Sequence, residues 1–96
     1  NVEQISDRPM KDNLADLSYL KKHWPTKVVV ASIMGFDKQE WRDLAKASED
    51  AGADILELNF SCPHMTVEGS GMEVGRAQAL VGEFTAVAKS ASSLPV

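Results

Sequence analysis

Asn59, Cys62 and His64 fall in one short run, Glu57-Leu58-Asn59-Phe60-Ser61-Cys62-Pro63-His64. The Asn59 amide has donors and acceptors side by side, a pattern suited to the edge of an imide or pyrimidine. A thiol with an ordinary pKa of about 8.5 is mostly protonated at neutral pH, so Cys62 is able to give up a proton as well as act as a nucleophile. It is the only cysteine in the chain. A free cysteine also serves as a small buried apolar group, and that alternative stays open on these residues alone. His64 reads equally as a surface or helix-capping histidine.

Other chemistries fit the residues less well. Cys62-x-His64 resembles half of a zinc site, but a closed site takes four ligands, and only His23 and carboxylates remain to complete it. No metal site is expected. Gly69, Gly71 and Gly75 precede a helix without the G-x-G-x-x-G spacing of a phosphate cradle. There is no G-x-S-x-G elbow, and a Cys-His nucleophile pair would need His23 or His64 brought in by tertiary structure. Trp24 and Trp41 lie on helical stripes and are expected in the core rather than against a ligand.

The elements that must position this run follow from periodicity. Met10, Leu14, Leu17, Leu20 and Trp24 recur at steps of three and four, which predicts a helix capped by Ser6 or Asp7, with Pro9 in its first turn and Pro25 beyond its end. Val28 to Met34 is a β-branched, nearly continuous apolar run, as for a strand covered on both faces. Asp37 followed by Glu40 forms a capping box, Trp41, Leu44, Ala45, Ser48 and Ala51 share a helix face, and Gly52 suits the helix end. Ile55 to Asn59 is a second strand, and residues 60 to 76 are a long glycine-bearing connection with the character of a lid. Leu80, Val81, Phe84, Val87, Ala88 and Ala91 mark a third helix, and Pro95-Val96 opens a third strand.

Alternation of this kind predicts parallel strands joined by right-handed crossovers, in a (β/α)8 barrel or a doubly wound sheet. Ligands in such folds gather at the carboxyl ends of strands, here Asn1 with Glu3, Ser32 to Met34, and Asn59 to Cys62. The chain starts at what reads as a strand end and stops at a strand start, so it is expected to be a segment of a longer protein, with open apolar sheet edges that favour association.

Composition sets the remaining bounds. The 96 residues carry a net charge of −4, without the clustered basic patch of a nucleic-acid surface. No apolar run reaches the roughly 18 residues of a membrane span, and nothing at the start reads as a secretion signal. One cysteine excludes an internal disulfide framework and fits a reducing compartment, so a cytoplasmic location is expected, with no membrane or nucleic-acid partner.

Asn-x-Glu-x-Ile-Ser at 1–6, Ala-Ser-Ile-Met at 31–34, Ala-Gly-Ala-Asp at 51–54 and Glu-Leu-Asn-Phe-Ser-Cys-Pro-His at 57–64 resemble the FMN-binding barrel domain of the dihydropyrimidine dehydrogenases, including the catalytic subunit of the bacterial NAD-dependent form. The likeness runs along essentially the whole chain. It implies that residues 1–96 are a fragment of a single (β/α)8 TIM barrel, about three β/α units of it. The related dihydroorotate dehydrogenases carry Ser-Cys-Pro-Asn at the comparable place, and His64 tilts the reading toward uracil and thymine.

The resemblance implies that reduced FMN passes a hydride to C6 of the pyrimidine while Cys62, as the catalytic acid, gives a proton to C5. It implies that Asn1, Glu3, Asn59 and His64 contact the substrate, and that Asn1, Met34 and Asn59 border the flavin. The Gly-rich segment usual in the family reads Met65-Thr66-Val67-Glu68-Gly69-Ser70-Gly71-Met72 here, a departure that bears on the lid. Iron–sulfur clusters need several cysteine ligands, so clusters, FAD and the NAD(P)H site would lie outside this chain, in the remainder of the barrel or in an electron-transfer subunit or domain. Dihydroorotate dehydrogenase is the alternative within the enzyme class. A non-catalytic α/β segment, kept as a structural or association unit, is the alternative outside it.

Overall fold

The computed structural model of the chain describes residues 9–60 and 78–96, in the order α1 (Met10–His23), β1 (Val30–Ile33), α2 (Lys38–Ala51), β2 (Ile55–Leu58) and α3 (Gln78–Ala91). The two strands pair in parallel, with Val30 opposite Ile55 and Ile33 opposite Leu58. The backbone N–H of Leu56 donates to the Pro95 carbonyl at 2.9 Å, which brings the chain after α3 alongside the other edge of β2. The sheet therefore advances in one direction, from β1 to β2 to residue 95.

Helix α2 forms where the capping box requires. Asp37 accepts from the Glu40 backbone N–H at 2.8 Å, and the Glu40 carboxylate reaches back to the Phe36 N–H at 2.7 Å. One of the N–H groups that a helix start leaves unpaired is thereby satisfied, and the N–H just before the cap is held as well. Gly52 ends the helix in the left-handed region at φ 106°, where a Cβ is disfavoured. Between these stops, Trp41, Ala45 and Ser48 are buried.

The core is one cluster. Ala31 and Ile33 of β1 and Leu56 of β2 meet Trp41 and Ala45 of α2 and Phe84 and Ala88 of α3. Trp41 stacks on Phe84 with ring centroids 5.7 Å apart and lies 5.3 Å from the Phe60 ring. Both α2 and α3 thus cover the same face of the sheet, as consecutive right-handed crossovers without a reversal require.

Two expectations are corrected. The Val28–Met34 run is not a strand covered on both faces: the strand is Val30–Ile33, and it alternates, with Ala31 and Ile33 buried and Val30 and Ser32 exposed. The helices all lie on one side, so among the described residues nothing covers the other, and Val28 is 67% exposed. Helix α1 begins after Pro9 with no side-chain cap, the proposed caps Ser6 and Asp7 lying outside the described residues. It buries no residue fully, and Trp24, expected in the core, is the exposed residue that ends it. Leu17 packs against the core cluster, and an apolar cleft of about 280 Å³ is lined by Leu14, Leu17, Ile33 and Leu44.

Polar contacts also hold α1. Ser18 Oγ donates to the Ala51 carbonyl at 2.9 Å, and Lys21 Nζ lies 2.7 Å from Asp54 Oδ2 and 2.8 Å from the Lys27 carbonyl. The Lys21 ammonium, followed by the Val29 N–H, lowers the Asp54 pKa. Glu49 is lowered likewise, chiefly by the Ser93 hydroxyl. Asp54 sits just before β2, and Glu49, in the last turn of α2, holds Ser93 just before the strand-like segment at 95, at the end of the sheet opposite the strand ends where ligands gather.

Candidate functional site

The carboxyl ends of β1 and β2 lie side by side because the strands are parallel and in register. One position beyond the Ile33–Leu58 pair come Met34 and Asn59, and the Asn59 backbone N–H donates to the Ile33 carbonyl at 2.8 Å. Met34 is half-buried against the core cluster, as is Phe60 just past Asn59. The strands thus bring together an apolar, polarizable thioether and an amide. That pair suits the edge of a flat heteroaromatic group. The other expected site residues, Asn1, Glu3, Cys62 and His64, lie outside the described residues, as does most of the expected lid at 60–76.

Gly35 follows Met34 for a physical reason. A Cβ at this buried position would come within 3.0 Å of the Trp41 backbone nitrogen, so the turn from β1 into α2 tolerates no side chain without a backbone shift. Close approach here seats the start of α2 directly behind the strand end. Among the described residues, no group of His, Cys, Asp or Glu gathers to hold a metal ion.

One polar contact near the strand ends had no assigned role in the sequence. Ser32 Oγ donates to Glu57 Oε1 at 2.9 Å, across the register pair Ser32–Glu57. The signal was present: each strand carries one polar residue within an apolar run, two positions before Met34 and before Asn59. Period-two alternation puts both on the sheet face turned away from the helices.

Comparison with known proteins fits these strand ends into a larger frame. The chain is 46% identical over all 96 residues to the NAD-dependent dihydropyrimidine dehydrogenase subunit PreA of Escherichia coli strain K12, covering 23% of that protein. Its sequence is homologous throughout to dihydropyrimidine dehydrogenases, an oxidoreductase family. The chloroplastic NADP(+) dihydropyrimidine dehydrogenase of Arabidopsis thaliana is 39% identical over 98 aligned residues, with all of this chain and 23% of that one covered. The catalytic subunit of dihydroorotate dehydrogenase B (NAD(+)) from Thermoplasma acidophilum is 36% identical over 88 residues, 92% of this chain and 28% of the relative. No family model matches the chain. The chain therefore spans about a quarter of the length of the curated relatives it matches.

Among the described residues, no helix is long and apolar enough to cross a membrane.

Proposed function

We propose that this chain is part of an FMN-dependent (β/α)8 barrel that reduces the 5,6 double bond of uracil or thymine. The observation that carries the reading is the 46% identity along all 96 residues to a dihydropyrimidine dehydrogenase subunit. The one-directional sheet, with α2 and α3 on a single face, supports a barrel over a doubly wound sheet, in which crossover helices lie on both faces. In such a barrel the Val30, Ser32 and Glu57 face is the interior.

FMN, when bound, supplies two-electron chemistry at its ring. Met34 gives that ring an apolar neighbour, and Asn59 offers its amide to the carbonyl and N–H edge of the pyrimidine. Asn1, Glu3 and His64 complete the substrate's polar contacts in this reading. Cys62 holds the proton delivered to C5, a role open to a thiol because the reference thiol pKa of about 8.5 lies above neutral pH. Donor and acceptor must be held at contact distance for this transfer.

The names of the relatives point to NAD or NADP as the ultimate electron carrier, and one relative is named a subunit. We place that nicotinamide site, with any FAD and iron–sulfur clusters, in other regions or in an electron-transfer partner, and the whole assembly in the cytoplasm as an oligomer. The second reading, dihydroorotate dehydrogenase, is favoured by the 36% identity to a catalytic subunit of that name.

The test is turnover by the purified full-length protein. Oxidation of reduced carrier with uracil or thymine, by a yellow protein, is the expected result. Turnover with dihydroorotate alone moves the assignment to the second reading. In Cys62→Ala, flavin reduction should survive while product formation slows by about 100-fold or more.

A further inference from the structure

Glu57 is an exposed carboxylate on the open sheet face, and Ser32 satisfies only one of its oxygens. Among the described residues no cation reaches it: Lys21 is engaged with Asp54 and Lys38 with Glu83. Exposure makes this arrangement tolerable. Once the same face becomes an enclosed interior, an ionised carboxylate with one neutral donor is unfavourable unless a cation or further donors meet it.

Glu57 also has a fixed place relative to the strand ends. It precedes Asn59 by two residues and shares its face, so the carboxylate lies one pleat repeat, about 7 Å, below the Asn59 level. Ser32 holds the same relation to Met34 in β1, and the register sets the two pairs one above the other. A hydroxyl donating to a carboxylate locks the rotamer of that carboxylate and leaves its second oxygen aimed elsewhere.

We propose that Glu57, held by Ser32, is a positioning residue. Its carboxylate pairs with a lysine or arginine from a strand outside residues 1–96 and fixes that cation beneath the Met34–Asn59 layer. This rests on the barrel reading of the preceding subsection. The cation, so placed, faces the flavin and pyrimidine from below, and Glu57 acts on the reaction only through it.

The experiment uses the full-length protein and its Glu57→Gln, Glu57→Asp and Ser32→Ala variants. Flavin content, flavin midpoint potential, and kcat and KM for uracil are measured on each. Glu57→Gln leaves the cation without its counter-charge, so the midpoint potential should move positive, because an unpaired cation favours the anionic reduced flavin. The kcat should fall by about tenfold with KM little changed, as misplacement near the reacting groups implies. Glu57→Asp should restore much of the potential, and Ser32→Ala should show the same changes in smaller measure. A flavin-loaded Glu57→Gln protein with wild-type potential and kcat overturns the inference while leaving the barrel reading intact. If Glu57→Gln fails to fold, an unchanged potential and kcat in flavin-loaded Ser32→Ala overturns it equally. A colourless wild-type protein overturns the barrel reading, and this inference with it.

Discussion

Lys21 and Asp54 join the end of α1 to the start of β2 through a 2.7 Å ion pair, and the same Asp54 oxygen accepts the Val29 N–H at 2.8 Å. One carboxylate thereby ties together a helix, the segment entering β1 and the segment entering β2. Because α1 buries no residue fully, this pair and the Ser18–Ala51 bond add to the packing of Leu17 in seating it. Asp54→Asn should lower the thermal midpoint and raise amide exchange in α1 more than in α2 or α3. Hydrogen-exchange mass spectrometry separates these outcomes.

Acid should act through the same group and through Glu49. Both have native pKa values below their ordinary ones, Asp54 chiefly through Lys21 and Glu49 chiefly through Ser93. The unfolded chain therefore takes up protons at a pH where the folded chain still resists them. Stability is complete above the ordinary carboxylate range and is lost as pH falls through the lowered values. Urea midpoints should be flat from about pH 7 to 5 and decline below about pH 4. The Asp54→Asn, Glu49→Gln double variant should show a shallower acid decline.

Trp41 is 1% exposed and packs between Phe60 and Phe84, yet among the described residues its indole N–H has no hydrogen-bond partner. Trp41→Ala should destabilise by about 3–5 kcal/mol, the range for emptying a large aromatic site. Trp41→Phe also removes an unsatisfied buried donor, which offsets about 1 kcal/mol or more of its packing loss. Denaturation curves should rank Phe far closer to wild type than Ala.

Two glycines should respond to alanine with opposite signs. At Gly52, φ is 106° and a Cβ would press on Lys21 Cγ at 3.3 Å, so Gly52→Ala should destabilise by about 1 kcal/mol. Gly82 lies inside α3 with open space around it, and Gly82→Ala should stabilise by about 0.8–1 kcal/mol through helix propensity alone. Thermal midpoints of the two variants provide the check.

At the strand ends, Asn59→Ala in the full-length protein should raise the uracil KM by about tenfold, the loss of roughly one good hydrogen bond. Met34→Ala should instead lower retained flavin, with a smaller effect on uracil KM once flavin is added back. Equal effects of the two substitutions on both quantities would refute the division of roles drawn between them.

Much of the architecture was legible because it depends on neighbours in sequence. Asp37 and Glu40 are three residues apart and cap α2 by themselves, and Gly52 terminates it for reasons internal to its own backbone. The Trp41, Ala45 and Ser48 stripe needed only the helical period. What was misread depends on partners distant in sequence. Trp24 shares the stripe of α1 but lies past its last turn, where no described element covers it. The apolar run at 28–34 promised two buried faces, and only one is covered by the described elements. Met34 and Asn59 were named from separate motifs, and it took the register of β1 on β2 to place them at neighbouring positions. The contact between Ser32 and Glu57 went unread because a hydrogen bond between residues 25 positions apart leaves no local trace.

The pairing of Ser32 with Glu57 and of Ile33 with Leu58 also restricts how the gene is free to vary in length. Deleting one codon within residues 55–58 would turn Glu57 toward Trp41 and Leu56 toward the open face, since side chains in a strand alternate strictly. Insertions and deletions between homologues should therefore collect in the connections, with the two strands and the spacing from Ser32 to Met34 and from Glu57 to Asn59 held constant. A lineage is able to rewrite the surface of this segment residue by residue, but it has almost no freedom to re-space it.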